Sequence, residues 1–359
     1  MKRAGVVTFF DHPNYGAVLQ AYGMKYALEK LGCSVTFIRN AREPNSAAPE
    51  KDRRLLVLEA LRHRRDALRP LRKPFTDFAE KYFRTEKLDW QHDVSAGYDF
   101  FIVGSDQVWN LEITGYDPFW FLDFAPPEKR FSYAASFGTD HLPENSLSWY
   151  RERLAGFANL SVREASGQEI IRELTGKEAI LCPDPVLLPE RGVWEKLMVP
   201  AEKAVVLYTA EFDAELYQDA KADAAARGLP LTVFGAAQPP SAGETADLSP
   251  ESWLGSIANA AAVYTNSFHA LVFSHIFHKN LRFRPLVRMK NRNSRLFSFI
   301  AAMEETPAQE ESRPGLFLLK ASGGREKADA RLDALRRSGF ACLQRITDSP
   351  FRQADSISS

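Results

Sequence analysis

Short β-branched and aromatic runs alternate with amphipathic stretches of helical spacing along most of the chain. Val6-Val7-Thr8-Phe9-Phe10 predicts a strand, ended by the turn-forming run Asp11-His12-Pro13-Asn14-Tyr15-Gly16. Val18, Tyr22, Leu28 and Leu31 then recur at helical spacing until Gly32, and Ser34–Arg39 predicts the next strand. Strand, loop, amphipathic helix and strand again is the opening of a parallel α/β sheet. The alternation resumes with strands at Tyr98–Val103, Phe131–Phe137 and Leu160–Glu164, a helix from Ala165 to Leu174, and a strand at Ala179–Cys182. A stretch rich in charge and proline follows, from Leu188 to Lys203. Beyond it a second series begins, with strands at Ala204–Thr209, Leu231–Phe234, Ala262–Thr265 and Leu281–Phe283. Helices at Asp213–Arg227, Pro250–Ala258 and Ser267–Phe277 lie between these strands, and a last helix spans about Ala328–Gln344.

The pattern predicts two Rossmann-like α/β domains facing a cleft, at 1–190 and 200–325, with a helix at 326–349 packing back on the first. Residues 41–85 interrupt the first domain as a basic helical insertion. Lys51–Lys73 holds nine Lys and Arg against three acids, with Leu55, Leu58, Leu61 and Leu68 as a partial apolar stripe. That is either a solvated helix or a peripheral contact with an anionic membrane.

Length supports two domains, since 359 residues exceed what one hydrophobic core usually serves. The chain balances 46 Lys and Arg against 46 Asp and Glu, which argues against a general nucleic-acid binder. Three cysteines without metal-like or CxxC spacing suit a reduced, cytoplasmic protein. The apolar run at the start ends at Asp11, so no secretory leader is expected.

Polar residues just past predicted strands are the candidate ligand groups, because open α/β sheets bind there. Asn14, Tyr15, Gly16 and Gln20 belong to the first such loop, which suits an anion or sugar hydroxyl or is an ordinary βα turn. Ser105, Asp106 and Trp109 belong to the second; they offer hydroxyl partners and a stacking face, with helix capping as the competing use. Arg163 could clamp a carboxylate or phosphate, or pair with Glu164. Ser267 and His269 open a helix, where phosphate would meet backbone N–H groups, the helix dipole and an imidazole. Arg288, Lys290, Arg292 and Arg295 supply cations nearby. No P-loop, GxGxxG or GxSxG pattern occurs, and His275 and His278 do not continue His269 as a zinc motif.

In order, NYGAVLQAY at 14–22, YDFFIVGSDQVWN at 98–110, SVRE at 161–164, CPDPVLL at 182–188 and TNSFHALVFSHIFHKNLRF at 265–283 resemble the polysaccharide pyruvyl transferase family. The resemblance implies a GT-B-like fold and transfer of pyruvate from phosphoenolpyruvate to two hydroxyls of a sugar, releasing phosphate. The acceptor is then a saccharide, or a lipid-linked oligosaccharide reached through 51–73, on the first-domain side; the donor lies on the second-domain side. It implies His269 as the active-site histidine and Arg163 as a donor ligand, with Lys290 or else Arg288 as a further cation beside Ser267 and Arg295. No cofactor and no metal are implied. Many members carry Asp after the first-loop glycine, whereas this chain has Ala17, and Asp106 is the carboxylate nearest to standing in. A nucleotide-sugar glycosyltransferase and a non-catalytic glycan-binding scaffold are the rival functions.

Overall fold

The fold comes from a computed structural model that describes residues 1–41, 72–88, 97–235, 248–287, 293–310, 313–319 and 325–349. Arg288, Lys290, Arg292 and most of the basic segment at 51–73 lie outside these residues.

Strands β1 (Lys2–Val7), β2 (Cys33–Asn40), β3 (Thr85–Leu88), β4 (Phe100–Val103) and β5 (Arg130–Ser132) form a parallel sheet ordered β3-β2-β1-β4-β5. Single bridges at Phe131–Asn159 and Ala135–Val162 extend it to β6 (Ser161–Val162), which pairs in parallel with β7 (Ile180–Leu181). Helices α1 (Tyr15–Lys30), α2 (Arg72–Tyr82), α3 (Leu111–Thr114), α4 (Leu147–Ala155), α5 (Ala165–Thr175) and α6 (Arg191–Leu197) accompany it. The order reverses between β1 and β4, so their carboxyl ends open on the crevice where doubly wound sheets hold ligands.

The second sheet contains β8 (Val205–Thr209), β9 (Leu231–Gly235), β10 (Ala262–Thr265) and β11 (Leu281–Phe283), with β12 (Ala308–Gln309) and β13 (Phe317–Leu319) antiparallel at one edge. Between them come α7 (Ala214–Arg227), α8 (Pro250–Asn259), α9 (Phe268–Ile276) and α10 (Ser294–Ala302). Here the reversal falls between β8 and β10. Two Rossmann-like domains therefore present their switch points, and local chemistry explains where the intervening helices begin and end. The Asn14 side chain accepts the Ala17 N–H to start α1, and Gly32 (φ +78°) follows its end. Asp213 caps α7 at Leu216, and Gly228 (φ +63°) closes it.

The last helix, α11 (Arg325–Thr347), touches both domains. Near its start His278 lies 3.1 Å from Asp329, and Arg331 pairs with Glu304, both on the second domain. Near its end Cys342 abuts Cys182, and Lys2 donates to the Thr347 carbonyl. Gly339 makes this approach feasible, because a Cβ there would fall 2.5 Å from Leu188 and 2.6 Å from the Tyr133 hydroxyl.

Three sequence expectations shift. β1 begins at Lys2 and ends at Val7, so Phe9 and Phe10 are buried in the following loop rather than in the strand. The strand expected over Phe131–Phe137 stops at Ser132, and Ala134 takes a positive φ of 48°. The antiparallel edge and α10 were not anticipated, since two- and three-residue strands leave no periodicity and SRLFSFIAA reads first as a cation cluster.

Candidate active site at the two switch points

The Asp184 carboxylate is the hub. It follows β7 between two prolines, is buried, and accepts the Val186 N–H at 3.1 Å through Oδ1. Its Oδ2 receives the Arg163 guanidinium and the Ser105 hydroxyl, the latter at 3.2 Å. The same oxygen lies 3.4 Å from His269 Nε2. Burial opposes ionisation of Asp184, yet His269, Arg163 and the Val186 N–H outweigh it and hold the carboxyl below its usual range.

Arg163 has carboxylates on three sides. Besides Asp184, Asp106 Oδ1 lies 3.4 Å from Nη2, and Glu164 Oε2 lies 3.8 Å from Nε. Burial would lower the Arg163 pKa, but Asp184, Asp106 and Glu164 raise it. Asp106 also faces Arg295 at 3.7 Å. Buried though it is, Arg163, His269 and Arg295 hold its carboxyl below the ordinary value. The Phe268 ring lies 5.0 Å from the Arg163 guanidinium and 5.9 Å from that of Arg295, so one aromatic ring gathers a cation from each domain.

His269 stands in the first turn of α9, 6% exposed. Thr265 and Asn266 prepare that turn: Asn266 accepts the Ala210 N–H at 2.7 Å, and Thr265 Oγ1 accepts the Ser267 N–H at 2.9 Å. Ser267 is the N-cap residue, but its hydroxyl makes no capping bond. On the other side of the imidazole is Gly16 of α1, where a Cβ would lie 1.9 Å from Nδ1. Glycine at 16 therefore lets the first turn of α1 close on the histidine. Two buried nitrogens, His269 Nε2 and Arg163 Nε, have no hydrogen-bond partner.

The structure thus brings together Asp106, Arg163, His269, Arg295, Ser105 and Ser267, with Gly16 as a packing surface. Other expected acceptor contacts are placed elsewhere. Trp109 is fully buried, donates to the Trp120 carbonyl at 3.1 Å and stacks on Phe121, so no face remains for a sugar. Tyr15 stacks on Trp253 at 5.2 Å and donates to the Leu248 carbonyl, which makes it cement between the domains. Gln20 is buried and ties Thr8, Phe9 and Ala17 together. Asn14, exposed at the start of α1, holds the cap. Ala17 is buried, and its methyl group offers no chemistry. The sequence reading missed Asp184 and Phe268, although Pro183-Asp184-Pro185 just past a strand was a usable sign. Among the described residues no cluster of three or more His, Cys, Asp or Glu could hold a metal ion. No described helix is long and apolar enough to cross a membrane.

Paired Rossmann-like domains with polar side chains of both meeting at the switch points define a two-domain cleft protein of the GT-B kind. The chain belongs to the polysaccharide pyruvyl transferase family, whose model matches residues 14–282. No curated protein sequence matches it significantly. Several solved glycosyltransferase structures are similar in outline. The kitacinnamycin glycotransferase has 11% identity, 96% of this chain and 98% of that one covered, and a TM-score of 0.43. The Anabaena protein HepE, solved with UDP and glucose, has 9% identity, 97% and 100% covered, and a TM-score of 0.47. An Arabidopsis thaliana enzyme solved with UDP-L-rhamnose has 11% identity, 97% and 98% covered, and a TM-score of 0.42.

Proposed function

We propose that the protein transfers pyruvate from phosphoenolpyruvate to two hydroxyls of a sugar in a polysaccharide or its lipid-linked precursor, forming a cyclic ketal and releasing phosphate. The observation that carries this reading is the meeting of His269, the uncapped Ser267 at the start of α9, and two guanidiniums in one buried cluster. A helix N terminus with a free hydroxyl and buried donors suits a phosphate, and an imidazole beside it suits proton transfer.

Charge balance shapes the reaction. Phosphoenolpyruvate brings roughly three negative charges, while Arg163 and Arg295 already face Asp106, Asp184 and Glu164. The donor must displace these carboxylates or draw in further cations, a role that suits Arg288 and Lys290. His269 then protonates the donor at its methylene carbon or at the departing phosphate. C2 becomes electrophilic, one hydroxyl adds, phosphate leaves and the second hydroxyl closes the ring. The donor is consumed as a substrate, and the scheme calls on no cofactor.

Incubation with phosphoenolpyruvate and candidate oligosaccharides is the test. The expected result is phosphate release coupled to an acceptor mass gain of about 70 Da, pyruvate added with loss of water. Nucleotide release from a sugar donor, with no phosphate from phosphoenolpyruvate, would replace this reading by a glycosyltransferase.

A further inference from the structure

Each edge of the His269 ring meets a different environment. Nε2 points at Asp184 Oδ2, 3.4 Å away and with no hydrogen bond of its own, whereas Nδ1 lies over Gly16 at the first turn of α1. That Nε2 separation exceeds a normal N–H···O distance by a few tenths of an ångström, a gap that binding commonly closes in catalytic pairs. Asp184 is itself immobilised, with Oδ1 fixed by the Val186 N–H and Oδ2 by Arg163 and Ser105. It is therefore a fixed acceptor, and a fixed acceptor selects the tautomer of the imidazole it faces.

We propose that Asp184 is the positioning residue of His269: its Oδ2 keeps a proton on Nε2, so that Nδ1 is the nitrogen that exchanges a proton with the substrate. The assignment rests on the reading of His269 as proton donor. In the step itself, Nδ1–H of the imidazolium gives its proton to the substrate, and the bonding pair stays on nitrogen. The ring is left neutral with Nε2–H on Asp184, and water reprotonates Nδ1.

Histidine-selective 15N NMR of the ligand-free protein tests this, with the His269 signals among those of seven histidines assigned by their loss in His269→Gln. In its neutral form His269 is expected as the Nε2–H tautomer, and Asp184→Asn should lose that preference. In Asp184→Asn kcat should drop about a hundredfold, and KM for phosphoenolpyruvate should not rise. Asp184→Glu should restore part of kcat. An Nδ1–H tautomer in the wild-type protein, or an unchanged Nε2–H tautomer in Asp184→Asn, overturns the assignment. Should Asp184→Asn fail to fold, the wild-type tautomer decides alone. The tautomer is read without substrate, so a correct tautomer with no phosphate release would instead count against the proposed reaction.

Discussion

Helices α1 and α9 both start just past a switch-point strand, and they face each other across the His269 ring, yet their first turns are used in opposite ways. In α1 the donors and the cap are consumed locally: Asn14 caps Ala17, Gln20 Nε2 binds the preceding loop, and Tyr15 packs on Trp253. In α9 the cap residue Ser267 keeps its hydroxyl uncommitted, and the first turn carries the histidine. Similar turn chemistry thus yields a wall in one domain and a helix start with an uncommitted hydroxyl in the other. What separates them is hydrogen-bond accounting rather than residue type.

The comparison is broken most severely by removing the chemistry of α9. His269→Ala should reduce phosphate release about 10²–10⁴-fold while the protein stays folded, read by steady-state kinetics beside a thermal melt. Arg163→Gln attacks the charged half instead. Leaving Asp184, Asp106 and Glu164 buried together without their shared cation should cost about 3–5 kcal/mol, seen as a lower denaturation midpoint. Gly16→Ala turns the wall against the histidine, because the added Cβ overlaps the ring. A loss of about 1–3 kcal/mol, shared between stability and kcat, is expected from such overpacking, and wild-type values would refute the close contact. The finest cut compares the two caps. Asn14→Ala should cost about 1 kcal/mol of stability, whereas Ser267→Ala should leave stability near wild type and raise KM for phosphoenolpyruvate about tenfold. Equal effects on stability would erase the distinction between the helices.

Much of the architecture was legible because parallel strands buried on both faces read as apolar runs, and their crossover helices read as amphipathic ones. Gly32, Gly176 and Gly228 mark helix ends in sequence and in space, each with positive φ. The site was half legible. His269 and Arg163 stand where a strand gives way to a helix, and chain order alone suggests ligand contact. Trp109 shows the limit: beside Ser105 and Asp106 it looks like a sugar platform, but whether an indole points inward depends on Phe121, Phe137 and Phe157 arriving from distant segments. Asp184 shows the converse. Its importance comes from Arg163, Ser105 and His269 converging on one oxygen, and two of those partners lie about 80 residues away in the chain.

The path of the backbone between the domains carries one more consequence. The chain passes from the first domain to the second through residues 182–204 and returns along α11, which is pinned by His278 and Glu304 at one end and by Cys182 and Lys2 at the other. Together with the apolar core that the domains share, in which Tyr15 of the first stacks on Trp253 of the second, those crossings hold the two halves of the site in register. Any parting of the domains would take His269 and Arg295 away from Gly16, Asp184 and Asp106 together, while the Asp106–Arg163–Asp184 group of the first domain stayed intact.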